Sequence, residues 1–170
     1  MPRNCSASLF VVVHIGPHPS ELPNILAHAS QARVSFGEDG ALVRPGHVYV
    51  APPDRHMVLS NGHIHLNRGP KVHYTRPAAD PLFQSAAETY GPRVLAIVLS
   101  GGDSDGAEGL RVVKLRGGRG IVQHPEEATV PSMPYAAIMR DNPDACLPIA
   151  DITRIVRSCF DGAETATPGA

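Results

Sequence analysis

The sequence predicts an α/β fold: a mostly parallel, doubly wound sheet flanked by helices, with an antiparallel β-hairpin inserted at about residues 46–67. Three observations carry this. Residues 94–99 (Val-Leu-Ala-Ile-Val-Leu) form a continuous apolar run, the pattern of a strand covered on both faces, and lead through Gly101-Gly102 into a helix start. Residues 9–13 are a second such run, and the strand, helix, strand order of the C-terminal half implies a right-handed crossover between parallel neighbours. Asn61-Gly62, between two short strand patterns, has the two-residue spacing of a type I′ hairpin turn.

Taken in order, the strand at residues 9–13 stops where Gly16 and Pro17 end the ladder, which leaves His14 at a strand end. Leu22, Ile25, Leu26 and Ala29 recur at helical spacing, and Pro23 is tolerated in a first turn. Residues 33–36 read as a short strand and Glu38-Asp39-Gly40 as a turn. Residues 47–51, 55–60 and 63–66 read as the strands of the antiparallel insertion. His63 and His65 share one strand face and, with His56, suggest a metal site. No carboxylate or cysteine accompanies them at a ligand-like spacing, so a solvated hairpin face is expected and no metal.

Residues 68–77 read as an extended basic loop. In the helix that follows, Asp80 is the expected N-cap, Pro81 the first position, and Leu82, Phe83, Ala86, Ala87 and Tyr90 the buried face; Gly91-Pro92 stops it. After the strand at 94–99, Ser104 or Asp105 is placed to cap a helix carrying Leu110 and Val113, which ends at Gly117-Gly118. A strand at 120–123, a short helix near 135–139 and a last helix at 149–160 complete a single domain over residues 1–160. Residues 161–170 are small and unpatterned, and a mobile tail is expected there.

A net charge of −1 offers no electrostatic footprint for nucleic acid or an anionic membrane, so neither is an expected partner. Cys5, Cys146 and Cys159 are widely spaced and odd in number, which fits reduced thiols in the cytoplasm. The longest apolar run is far too short for a membrane span, and the first ten residues lack the pattern of a secretory signal.

An acid at one strand end and a histidine at another are two thirds of a nucleophilic hydrolase, because the carboxylate fixes the imidazole tautomer and the imidazole takes the nucleophile's proton. His14 fits the base, and Asp103 and Asp105 lie at the carboxyl end of the 94–99 strand, where open α/β sheets bind ligands.

Several ordered motifs resemble the catalytic domain of the CheB-type protein-glutamate methylesterases of bacterial chemotaxis. They are Phe10-Val-Val-Val-His-Ile-Gly-Pro-His18, Glu38-Asp-Gly with Arg44-Pro-Gly-His-Val-Tyr-Val-Ala-Pro-Pro-Asp-Arg-His56, Thr75-Arg-Pro-Ala-Ala-Asp-Pro-Leu-Phe83 and Leu99-Ser-Gly-Gly-Asp-Ser-Asp-Gly-Ala107, with Gly117-Gly118, Ile121-Val-Gln123 and Ser132-Met-Pro134. The resemblance runs from about residue 9 to about 160. It implies hydrolysis of receptor glutamate γ-methyl esters, and deamidation of receptor glutamines, by a serine, histidine and aspartate mechanism without a cofactor. A methylated chemoreceptor or similar signalling protein is the implied partner. By resemblance His14 is the general base, and Asp105, which directly precedes Gly-Ala, is its orienter. Gly101 and Gly102 lie near the oxyanion, Gly102 standing where many members have methionine, and Arg76 positions substrate or holds the rim.

The family's nucleophile lies on a Gly-Ala-Ser-x-Gly-Gly turn one β–α unit before the histidine strand. Thirteen residues precede His14 here, whereas such a unit takes roughly thirty. The first unit and the family's receiver domain are therefore expected to be missing from this chain, through a start assigned too far downstream or a true truncation. Ser6 and Ser8 precede or begin the histidine's own strand, and Ser20, Ser100 and Ser104 occupy no strained strand-to-helix elbow. The alternative reading is an inactive remnant that binds receptor or signalling partners.

Overall fold

The computed structural model describes residues 7–30 and 32–161. Its strands are β1 (Leu9–Val11), β2 (Arg33–Phe36), β3 (His47–Val50), β4 (His56–Ser60), β5 (His63–Asn67), β6 (Leu95–Val98), β7 (Arg119–Gln123) and β8 (Ala145–Leu147). Its helices are α1 (Leu22–Ser30), α2 (Ala79–Tyr90), α3 (Ala107–Leu115), α4 (Ser132–Arg140) and α5 (Ile149–Asp161). The parallel strands form two three-stranded sheets, β1-β3-β2 and β6-β7-β8, while β4 and β5 make an antiparallel pair.

The antiparallel part is narrower than the sequence pattern suggests. Residues 47–50 pair in parallel with both β1 and β2, so β3 is the centre of the first sheet and the hairpin begins at His56. The reason is burial: Val48, Tyr49 and Val50 are all buried, as a central strand requires, and an exposed hairpin edge would alternate. The short, half-exposed β8 carries little periodic signal and was not expected from the sequence.

Two larger apolar clusters hold the layers, with a smaller third, Ala87, Ala96 and Val113, between α2, β6 and α3. Tyr49, Met57, Leu59, Ile64, Leu82 and Ala86 pack the hairpin against α2. Val98, Leu110, Val122 and Ala137 pack α3 and α4 against β6 and β7. α2 bridges the two, its Phe83 touching the second cluster as well as the first.

The carboxyl ends of β1 and β6 meet, since His14 follows one, Asp105 follows the other, and their side chains are bonded. Among the described residues each is paired on one edge only, and beside these strands lies an apolar groove of ≈ 770 Å³ lined by Phe10, Val12, Val98, Ile152 and Val156 among others. The amphipathic α5 thus turns its apolar face toward this groove. Cys5, Ser6 and the tail from 162 lie outside the described residues; Cys146 and Cys159 are free and exposed.

Candidate functional site

The site forms where the loops after β1 and β6 meet the N-terminus of α2. His14 Nε2 lies 2.7 Å from Asp105 Oδ2. The Asp105 carboxylate is fully buried and also accepts the Ala79 N–H (2.6 Å) and the Asp80 N–H (3.0 Å). Those two amides are free donors of the first turn of α2, which otherwise has no side-chain cap. Burial pushes the Asp105 carboxyl up, but the His14 hydrogen bond and the two N–H groups outweigh it, so the group sits below the usual carboxylate range. The same hydrogen bond raises His14 above its ordinary value against the opposing effect of burial, with the charges of Asp105 and Asp103 adding to it. With Nε2–H donated to the acid, Nδ1 holds the lone pair and has no hydrogen-bond partner among the described residues.

Caps predicted for each helix are exchanged. Asp80 is the second residue of α2, and instead of capping its own helix it accepts the Gly109 N–H of α3 at 2.6 Å. Asp105, which precedes α3, caps α2. The N-cap of α3 is Gly106 at φ 85, with no side-chain cap bond. A capping box is read along one chain segment, so its pattern does not distinguish an acid that serves its own helix from one that serves a neighbour.

His73 is the residue that sequence reasoning missed. Its Nε2 lies 3.1 Å from Asp80 Oδ2 and its Nδ1 3.1 Å from Ser104 Oγ. It is brought there by a two-residue turn in which His73 and Tyr74 have φ of 48 and 59, closed by reciprocal bonds between Val72 and Thr75. Turns of that shape are usually written Asn-Gly, and His-Tyr carries no such signal. The basic loop does make Arg76 prominent. Arg76 donates to Asp54 Oδ1 through Nε (3.0 Å) and Nη2 (2.6 Å) and to the Gly69 carbonyl through Nη1 (2.7 Å). All three of its nitrogens are thereby engaged in tying the loop to the segment before β4.

The two glycines of the acid loop differ. The Gly101 N–H donates to the Val130 carbonyl at 2.9 Å, and the Gly101 carbonyl accepts the Met133 N–H at 3.0 Å, so that amide is already occupied. Gly102 forms no such bond and has open space on its Cβ side.

No hydroxyl among the described residues is bonded to His14. Ser100 is tied to Val130, Ser104 to His73, and Ser20 Oγ accepts the Leu22 N–H, while Ser8 is bonded to the Arg44 carbonyl beside the opposite end of β1. The three hairpin histidines do not converge either. His56 is buried with Nε2 on the Pro70 carbonyl, His63 bonds the Asn61 carbonyl and His65 points to solvent. The expected solvated face therefore holds for His65, whereas His56 faces the core.

The sequence profile of the CheB methylesterase family matches residues 1–156. A protein-glutamate methylesterase/protein-glutamine glutaminase of Pyrococcus abyssi is 37% identical over 160 residues, covering 91% of this chain and 44% of that protein. A second, from Anaeromyxobacter dehalogenans, is 38% identical and covers 92% of this chain and 46% of its own length. The crystal structure of the Thermotoga maritima CheB methylesterase catalytic domain superimposes with a TM-score of 0.86 at 34% identity, over 92% of this chain and 85% of that one. The chain spans just under half the length of the two curated relatives. With residues 1–156 under the family profile and the fold matched nearly end to end, the chain belongs to the CheB methylesterase family.

Proposed function

We propose that this chain supplies the base and acid of a protein-glutamate methylesterase that also deamidates glutamine, acting in the cytoplasm on a methylated chemoreceptor or a similar signalling protein. The observation that carries the reading is the 2.7 Å bond between His14 Nε2 and a buried Asp105. The printed names of the relatives support the substrate class.

In this mechanism the free Nδ1 of His14 takes the proton of a serine hydroxyl as its oxygen bonds to the γ-carbonyl carbon of the substrate. The imidazolium, stabilised by Asp105, returns that proton to the leaving methoxide, which departs as methanol, or to the leaving amide nitrogen, which departs as ammonia. Water then attacks the acyl-enzyme, His14 taking its proton and returning it to the serine oxygen as the ester bond to the enzyme breaks and the glutamate carboxylate is released. The serine belongs to the turn that the family resemblance places ahead of the histidine strand. Gly102 is the loop amide available to the oxyanion, and Arg76 holds the rim.

A second reading has its own support, because no described serine reaches His14: the chain by itself binds receptor without hydrolysis. Methanol release from methylated receptor separates the two. Under the first, activity falls about 10³-fold or more for His14→Ala. The measurement is made with the serine turn joined ahead of the chain: receptor binding without release there selects the second, and release that survives His14→Ala removes His14 from the role of base.

A further inference from the structure

Behind the His14–Asp105 pair lies a second acid and histidine that do not touch His14. Asp80 is 4% exposed, and both of its oxygens are engaged, Oδ1 by the Gly109 N–H and Oδ2 by His73 Nε2. Both oxygens of Asp105 are engaged as well, by Ala79 N–H, Asp80 N–H and His14. His73, Asp80 and Asp105 place ligand-capable atoms within 4.8 Å of one another, yet these atoms already face hydrogen-bond donors or each other, so the cluster is a hydrogen-bond relay within the protein and not a cation nest.

The relay is reciprocal. Asp105, from the loop before α3, holds the first turn of α2, and Asp80, from the first turn of α2, holds the first turn of α3. The two backbones meet at Gly109, where a Cβ would lie 2.6 Å from Phe83 Cβ and 3.0 Å from Asp80 Oδ1. His73 joins the two sides, bonding Asp80 through Nε2 and Ser104, the residue before Asp105, through Nδ1. Its backbone and that of Tyr74 are both left-handed, a conformation that residues with side chains rarely adopt, and this geometry delivers the imidazole to that junction.

A carboxylate beside another buried carboxylate is an expensive way to cap a helix; Asn would accept the same N–H without the repulsion. Burial and the neighbouring Asp105 both work against Asp80 ionising, while the Gly109 N–H and His73 favour it. The groups facing Asp80 are His73 from the turn and Asp105 from the loop before α3, with Asp103 3.9 Å beyond His73 Nδ1.

We infer that Asp80, held by His73, is a positioning residue for the site: it sets where Asp105 sits between the two helix starts, and so fixes the orientation of the His14 imidazole. The inference rests on His14 acting as the base, and its test does not need catalysis. The imidazole titration of His14 is followed by NMR in the full chain and in Asp80→Ala, Asp80→Asn and His73→Leu, each also in an Asp105→Asn background. Asp80→Ala and His73→Leu are expected to shift the His14 midpoint downward, Asp80→Asn to keep most of the native midpoint because it retains an acceptor for Gly109, and all the shifts to vanish beside Asp105→Asn. Folded variants that titrate like the native chain overturn the inference, as do shifts that persist beside Asp105→Asn. His73 is a third exposed, so His73→Leu decides the matter if Asp80→Ala fails to fold. A chain inactive as an esterase still gives the titration, which keeps failure of this inference separate from failure of the proposed function.

Discussion

Asp105 is fully buried and faces three donors, so its removal leaves more than one partner stranded. Asp105→Ala orphans the buried Ala79 and Asp80 N–H groups and the His14 Nε2–H together, and about 3 kcal/mol of stability should be lost in urea denaturation. The pH dependence follows from the two shifts. His14 is raised above 6.5, so its share of stability is complete below the unfolded value and disappears as pH rises through the folded one. Asp105 is lowered below 3.8, so its share is present above the unfolded value and is lost as pH falls through the folded one. In the proposed mechanism the base is neutral His14, hence the esterase rate should climb with pH along a limb centred above 6.5, and Asp105→Asn should move that limb to lower pH; an unmoved limb would show that another group titrates there. His14 and Asp105 were legible as residues because each ends an apolar run. Their contact joins positions 91 apart in sequence, which no local pattern expresses. Choosing Asp105 over Asp103 required the family motif.

At the scale of elements, the junction of α2 and α3 is closely packed at Gly109. Gly109→Ala brings a methyl against Phe83 Cβ at 2.6 Å and the Asp80 Cα at 3.1 Å, and backbone does not yield cheaply. A cost of about 2 kcal/mol is expected by chemical denaturation, within the range for overpacking. Gly102→Ala meets nothing within 4 Å and should leave stability within about 0.5 kcal/mol of the native chain. If the two substitutions cost the same, the close approach of the helices is not what holds them. Apolar periodicity located both helices and their buried faces. It did not show which acid caps which helix, because capping depends on the first-turn amides and on whichever carboxylate folding brings to them. The hairpin shows the same division: Asn61-Gly62 marked its turn, whereas the membership of β3 was decided by neighbours on both edges.

For the molecule as a whole, the defining feature is the groove between β1 and β6. Two strands, each with one unpaired edge among the described residues, flank an apolar space of ≈ 770 Å³. Exposed apolar edges of this kind invite association. The 170-residue chain expressed alone should bind a hydrophobic dye such as anilinonaphthalene sulfonate in its native state and should associate as concentration rises, followed by light scattering. A monodisperse monomer that leaves the dye dark would mean that the groove closes in solution.

By itself the sequence determined the α/β class and nearly every helix and strand, and it singled out the two residues of the proposed base and acid, because apolar period, glycine and proline punctuation and short family motifs act over a few neighbouring positions. Tertiary structure alone decided that the parallel strands form two sheets with a groove between them, that the two acids exchange helices, and that His73 stands behind the pair. Those outcomes depend on free backbone donors and strand edges finding partners far away in the chain. Sequence spacing carries no record of that search.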